Sequence, residues 1–181
     1  MSTEANAADG SGPSTLTPIG AIVRGLIAGA VGTAAMDALL FERYRRGGGD
    51  QAVGEWEFSE GLSSWEDAPA PAKVGKRLVE GLFQIEIPAS RVPLVNNVTH
   101  WAFGILGGAQ YGIVAGSLRK QKVLYGLPFG ASVWAGGYVV LPAAMLYKPI
   151  WDYDVKTLAK DLSAHLVYGL TTATALRLLS R

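Results

Sequence analysis

The chain has 181 residues, of which 49% are hydrophobic and 17% charged, and its formal net charge is +1. Soluble domains carry about 25% charged residues, and a near-neutral balance offers no electrostatic case for nucleic acid or an acidic partner. The absence of cysteine excludes disulfides, thiolate metal sites and thiol nucleophiles.

Residues Met1 to Pro18 are rich in Ser, Thr, Ala, Gly and Pro and contain no Lys or Arg, which predicts a disordered tail over 1–18. Ile19 to Phe41 follows as a first apolar span, long enough to cross about 30 Å of hydrocarbon. Gly25 and Gly29 form a small-xxx-small pair within it, continued by Ala28, Gly32 and Ala35. Arg24 near its start can reach back to an interface. A cleavable signal peptide is the competing reading, but the tail lacks a positive n-region.

Residues 42–97 read as a polar loop. The run RYRRGGGD (Arg43 to Asp50) ends the first helix, and Gly54 to Asp67 is acidic with Trp56 and Trp65. In Pro69 to Phe83 the apolar residues Val74, Leu78, Val79, Leu82 and Phe83 fall at helical spacing. They predict a short amphipathic helix, docked on its own protein rather than lying on a membrane surface.

Val98 to Leu118 is the second span and the most distinctive stretch. Gly104, Gly108, Gly112 and Gly116 recur every fourth residue. On a helix they stack into a ridge without side chains. In water each glycine costs about 1 kcal/mol against alanine; in a bilayer the ridge lets another helix approach closely. Packing within the chain is the preferred reading, and a homodimer uses the same geometry. Gln110 beside the ridge is expected to hydrogen-bond across helices. Arg119, Lys120 and Lys122 make a basic turn. Leu124 to Tyr147 is the third span, with small faces at Gly126, Gly130, Gly136 and Gly137. Thr157 to Leu179 is the fourth. Trp101, Tyr147, Trp151 and Tyr153 sit near span ends, as an aromatic belt would.

The expected fold is therefore all-α: a polytopic membrane protein of four transmembrane helices, 19–181 forming one domain that includes the loop 42–97. Alternating spans put Asp37, His100, Asp161 and His165 toward the loop side of three helices. The two histidines are the only ones in the chain. Ionisable groups at membrane depth cost about 2.5–3.5 kcal/mol at mid-bilayer and so seek partners. Interhelical hydrogen bonding is the first reading of the four; a divalent metal site with two His and two Asp ligands, and an Asp–His pair handling protons or substrate, are the functional ones. Haem is disfavoured by the unequal depths of the histidines and the crowded glycine faces. No P-loop, nucleophile elbow or dinucleotide fingerprint is present. Six cations near span ends on the termini side against seven on the other leave orientation open.

The second half of the chain resembles a known family. THWAFGILGGAQYG (Thr99 to Gly112), LYGLPFGASVW (Leu124 to Trp134), the Leu141–Pro142 step and DLSAHLVYG (Asp161 to Gly169) are similar to the YagU-like bacterial inner-membrane proteins, over roughly Val98 to Leu179. The resemblance implies four helices in the plasma membrane with cytoplasmic termini, and no reaction. The loop with PAPAKVGKRLVEGLF departs from that family's pattern and looks like an actinobacterial version. The expected role is a non-enzymatic scaffold or accessory subunit, with lipid and a membrane-protein partner or homodimer as contacts. The alternative is a small carrier or a metal- or proton-linked protein using the Asp/His residues; a membrane-embedded enzyme ranks last.

Overall fold

A computed structural model describes residues 16–58, 64–118 and 121–181. The expected tail lies almost wholly outside the described residues, as do Arg119 and Lys120 of the basic turn and 59–63 of the acidic segment. Among the described residues the secondary structure is helical, without strands: α1 (Pro18–Arg46), α2 (Val53–Glu57), α3 (Ala70–Phe83), α4 (Val92–Gly116), α5 (Gly126–Ala143) and α6 (Val155–Leu179), with short 3-10 turns before α4, before α5 and before α6.

Local chemistry sets the ends. Thr17 caps α1, its hydroxyl accepting from the Gly20 amide at 3.2 Å, and Pro18 supplies a helix-compatible φ in the first turn. The helix runs past Phe41 to Arg46 and stops at Gly47, where Gly48 takes φ +95°, a conformation glycine adopts without cost. Asp154 caps α6 by accepting from the Thr157 amide at 2.9 Å. The Thr157 hydroxyl, which donates to the same carboxylate, and that amide bond hold the Asp154 carboxyl below its usual range. α4 begins at Val92, six residues before the expected span, because Asn96 and Asn97 sit on a helix whose apolar face starts later.

The four long helices alternate in direction. Arg24 of α1 donates to the Leu179 carbonyl at 2.8 Å, while Arg43 at the opposite end donates to the Lys160 carbonyl and Ser163 hydroxyl. Arg24 thus closes the carbonyl end of α6, where a cation is favoured. In space the order is α3, α4, α1, α6, α5, each packed on the next. α4 and α5 scarcely approach; they meet through the Tyr111 and Phe129 rings, 4.6 Å apart.

Glycines set the closest approaches. A methyl group added to Gly25 would lie 2.5 Å from the Gly108 carbonyl oxygen, and one on Gly29 2.5 Å from that of Gly104. The glycine ridge of α4, through Gly104, Gly108 and Gly112, therefore lies directly on the α1 backbone of the same chain, with Gly116 against Ala21. Gly169 of α6 stands equally close to Gly126 and Gly130 of α5. The interior is correspondingly fine-grained: Ala28, Ala164, Thr172 and Thr33 are buried, while Val23 (50%), Ile27 (48%), Leu106 (57%) and Val139 (70%) face outward. Two helical stretches, Pro18–Arg46 and Val123–Ala143, are long and apolar enough to cross a membrane by length and composition. α4 and α6 are as long as a span needs, but their glycines, His, Gln and Lys dilute the apolar character.

α3 docks on α4 through its small face, Ala72 and Gly75, the latter against Thr99 and Val95. Its other side leaves Leu78, Leu82 and Phe83 exposed, and Ile85 continues that stripe. Trp65 donates to the Ile87 carbonyl at 3.1 Å and carries the Lys76 ammonium over its ring at 5.3 Å. Arg77 reaches the Ala144 carbonyl at the end of α5 at 2.9 Å. The loop helices thus sit at the end of the bundle away from the start of α1 and the end of α6.

Candidate functional site

The close α1–α4 seam is a stripe read every fourth residue: Ala21, Gly25, Gly29, Thr33 and Asp37 on α1 against Gly112, Gly108, Gly104, His100 and Asn96 on α4. Toward the loop end, small residues give way to polar ones. There Asp37 Oδ1 and His100 Nε2 lie 2.8 Å apart, and both side chains are mostly shielded, 14% and 25% exposed. The second carboxylate oxygen, Asp37 Oδ2, is buried with no partner among the described residues. So is Oδ1 of Asn96, one turn before His100. Buried acceptors without a partner cost free energy, and these two lie within about one helical turn of the His100 level.

A strap crosses this end. Trp56 of α2 packs on Phe41 of α1, with centroids 5.4 Å apart, and Tyr44 joins the same group. The next residue, Glu57, accepts from Asn97 Nδ2 at 2.8 Å and Trp101 Nε1 at 2.9 Å on α4. Adjacent residues of one short helix therefore tie α1 to α4 at the end of the seam that holds the Asp37–His100 pair. Neither Glu57 nor the two asparagines stood out in the sequence. An acid beside tryptophan, and an Asn-Asn step just before an apolar run, were the available signals.

Asp161 and His165 form a second pair, on α6. His165 Nδ1 lies 2.9 Å from the Asp161 backbone carbonyl and 3.4 Å from its carboxylate. This pair faces α5, whose Tyr138 ring meets Tyr147 at a tilt and Tyr153 edge-on beside Asp161. The four residues grouped by sequence depth thus resolve into two pairs, with no hydrogen bond joining them. Among the described residues, no three His, Asp or Glu side chains gather as a metal ion requires. The four do not converge because rotation about each helix axis, which depth cannot specify, turns His165 toward its own helix and α5. Gln110 also departs from expectation. It is exposed, and its amide has no partner among the described residues; it lines an open groove of about 540 Å³ between α4 and α5.

A family model described as a protein of unknown function (DUF1440) matches residues 82–174, from the end of α3 into α6. The match includes His100, Asp161 and His165 but not Asp37. No curated protein and no solved structure matches the chain. Because the matched segment is just over half of the chain, the protein belongs to the DUF1440 family, the same family as the YagU-like proteins it resembles.

Proposed function

We propose that this protein is a four-span integral membrane protein of the bacterial plasma membrane, with cytoplasmic termini, serving as a non-enzymatic accessory or scaffold subunit of a membrane assembly. One observation carries the reading. Large apolar side chains lie on the outside of the long helices and of α3, while Gly, Ala and Thr fill the seams. Water-soluble monomers rarely expose a contiguous apolar area beyond a few hundred Å². Lipid reverses the demand, since helices there associate through small residues. The alternation of helix directions, with loop helices at the end away from the termini, suits four crossings. The exposed stripe Leu78, Leu82, Phe83 and Ile85 on the loop side supports an extramembrane partner.

The test is fractionation followed by native purification. The protein is expected to stay with membranes through alkaline carbonate, to need detergent for release, and to bring a stable companion with it. Solubility without detergent would overturn the membrane reading. A partner-free species from native membranes would overturn the accessory role.

A second reading has its own support. The unpartnered oxygens of Asp37 and Asn96 beside His100 suit a small carrier that passes a proton or a hydrogen-bond donor between the helices. Loss of transport in His100→Ala, with the fold intact, would favour it over the scaffold.

A further inference from the structure

Helix α3 is amphipathic, and only part of it is covered. Its buried residues, Ala70, Ala72 and Gly75, all lie in its first half, where Gly75 meets Val95 and Thr99 of α4. Further along, Leu78 and Leu82 are four apart and share one line on the helix. Leu82 is 73% exposed and Phe83 66%, and Ile85 extends the strip beyond the helix end. Lys73, Lys76 and Arg77 stand between these apolar positions in sequence, and the Lys76 ammonium pairs with Glu80.

Depth says what lies under the strip. Thr99 precedes Trp101 by two residues, about 3 Å along α4, and Val95 precedes it by six, about 9 Å. Trp101, Tyr147, Trp151 and Tyr153 stand near the loop-side ends of the spans, where a membrane–water interface gathers Trp and Tyr. Arg77 donates to the Ala144 carbonyl at the end of α5, so α3 bridges the same ends of two long helices. Large apolar side chains are open all round this rim: Met145 is 83% exposed, Trp151 80% and Val155 81%. On α4 the exposed pair Leu94 and Val98 runs beside the Val95–Thr99 contact line. The strip is thus continuous in level with the apolar outer surface of the bundle. At such a level an amphipathic helix buries its apolar side about 5–10 Å into the boundary between headgroups and acyl chains. Its Lys and Arg heads reach back to water.

We infer that α3 is an interfacial helix: Leu78, Leu82, Phe83 and Ile85 are seated in the lipid surface at the loop-side rim, and α4 holds the helix there through Ala72 and Gly75. An extramembrane partner would cover the same side chains, but it needs the strip to stand clear of the bilayer, and attachment beside Trp101 keeps it at the interface. The inference rests on the membrane part of the proposed function and leaves the accessory role to its own purification test.

The cysteine-free chain lets one probe be placed at a time. Leu82→Cys, Glu66→Cys and Val139→Cys are each labelled with bimane in the purified full chain. They are then reconstituted into phosphatidylcholine vesicles with or without bromine on the acyl chains. Glu66 is exposed, and its carbonyl accepts from Lys73 on the polar side of α3; Val139, 70% exposed, lies on the outside of α5. Bromolipid is expected to quench the label at Leu82→Cys several-fold more than at Glu66→Cys, and iodide in the water the reverse. Equal quenching at the two positions would overturn the inference. So would protection of Leu82→Cys from iodide in native membranes that disappears in vesicles of the purified protein, which would give the strip to a protein companion. Val139→Cys keeps the two readings apart. If bromolipid quenches it but not Leu82→Cys, the interfacial helix alone is refuted; if bromolipid quenches neither, the membrane reading itself falls.

Discussion

Replacing Gly29 with alanine should part α1 from α4, the two most extensively packed helices. The new methyl carbon would lie 2.5 Å from the Gly104 carbonyl oxygen and 2.9 Å from the Gly108 Cα. Ordinary contact begins at 3.4 Å, so the gap must open by about 0.9 Å. Both opposing atoms are backbone, and no side-chain rotation relieves them. Overpacking of this kind costs about 1–3 kcal/mol. Alanine returns about 1 kcal/mol through better helix propensity, leaving a net loss of about 0–2 kcal/mol against the parent and of about 1–3 kcal/mol against a glycine-to-alanine change in open space. Gly136→Ala is the matched control, since nothing lies within 4 Å of its added methyl. There the propensity gain stands alone, and the variant should be as stable as the parent or slightly more so. Denaturant unfolding of both variants in one detergent, followed by circular dichroism, reads the difference directly. Equal stability would refute the claim that the α1–α4 seam is closed by backbone contact.

Asp37→Ala strips the His100 ring of its only side-chain partner among the described residues and should cost about 1–3 kcal/mol in the same assay. Asp161→Ala should cost less, because His165 keeps the Asp161 backbone carbonyl. Glu57→Ala unties α2 from Asn97 and Trp101, so limited trypsin digestion at Arg45 and Arg46 should accelerate while the bundle stays folded. The Glu80 carboxyl is held below its usual value of 4.5 by the Ile87 amide and the Lys76 ammonium. Its contribution is therefore present above that value and lost as pH falls through the lowered one; hydrogen exchange at the Ile87 amide should quicken on acidification, and Glu80→Gln should abolish that pH response. Metal analysis of the purified protein, wild type and His165→Ala alike, is expected to find no stoichiometric divalent ion.

The existence of the long helices was legible from apolar runs, and the α3 helix from its spacing, because both signals are one-dimensional. Their ends were less so. α1 outruns its apolar stretch because Arg43 finds a carbonyl and a hydroxyl on α6, a partner that no local pattern reveals. α2 was missed since five residues carry no period. At the candidate site, depth along each span brought Asp37 and His100 to the same level, but their meeting also needed the rotation set by Gly29 and Gly104. That rotation is a tertiary quantity. It left Asp161 and His165 on a different seam, and it is why Asn96, Asn97 and Glu57 became visible only in three dimensions.

The mismatch between chain order and spatial order bears on biosynthesis. A ribosome delivers α1 and then α4, which can dock as soon as both have emerged. Helix α5 comes next but has no large interface waiting, for its main neighbour, α6, is made after it. It must linger alone until α6 has emerged. A nonsense mutation before residue 155 would therefore strand an orphan segment, the kind of substrate that quality-control proteases remove.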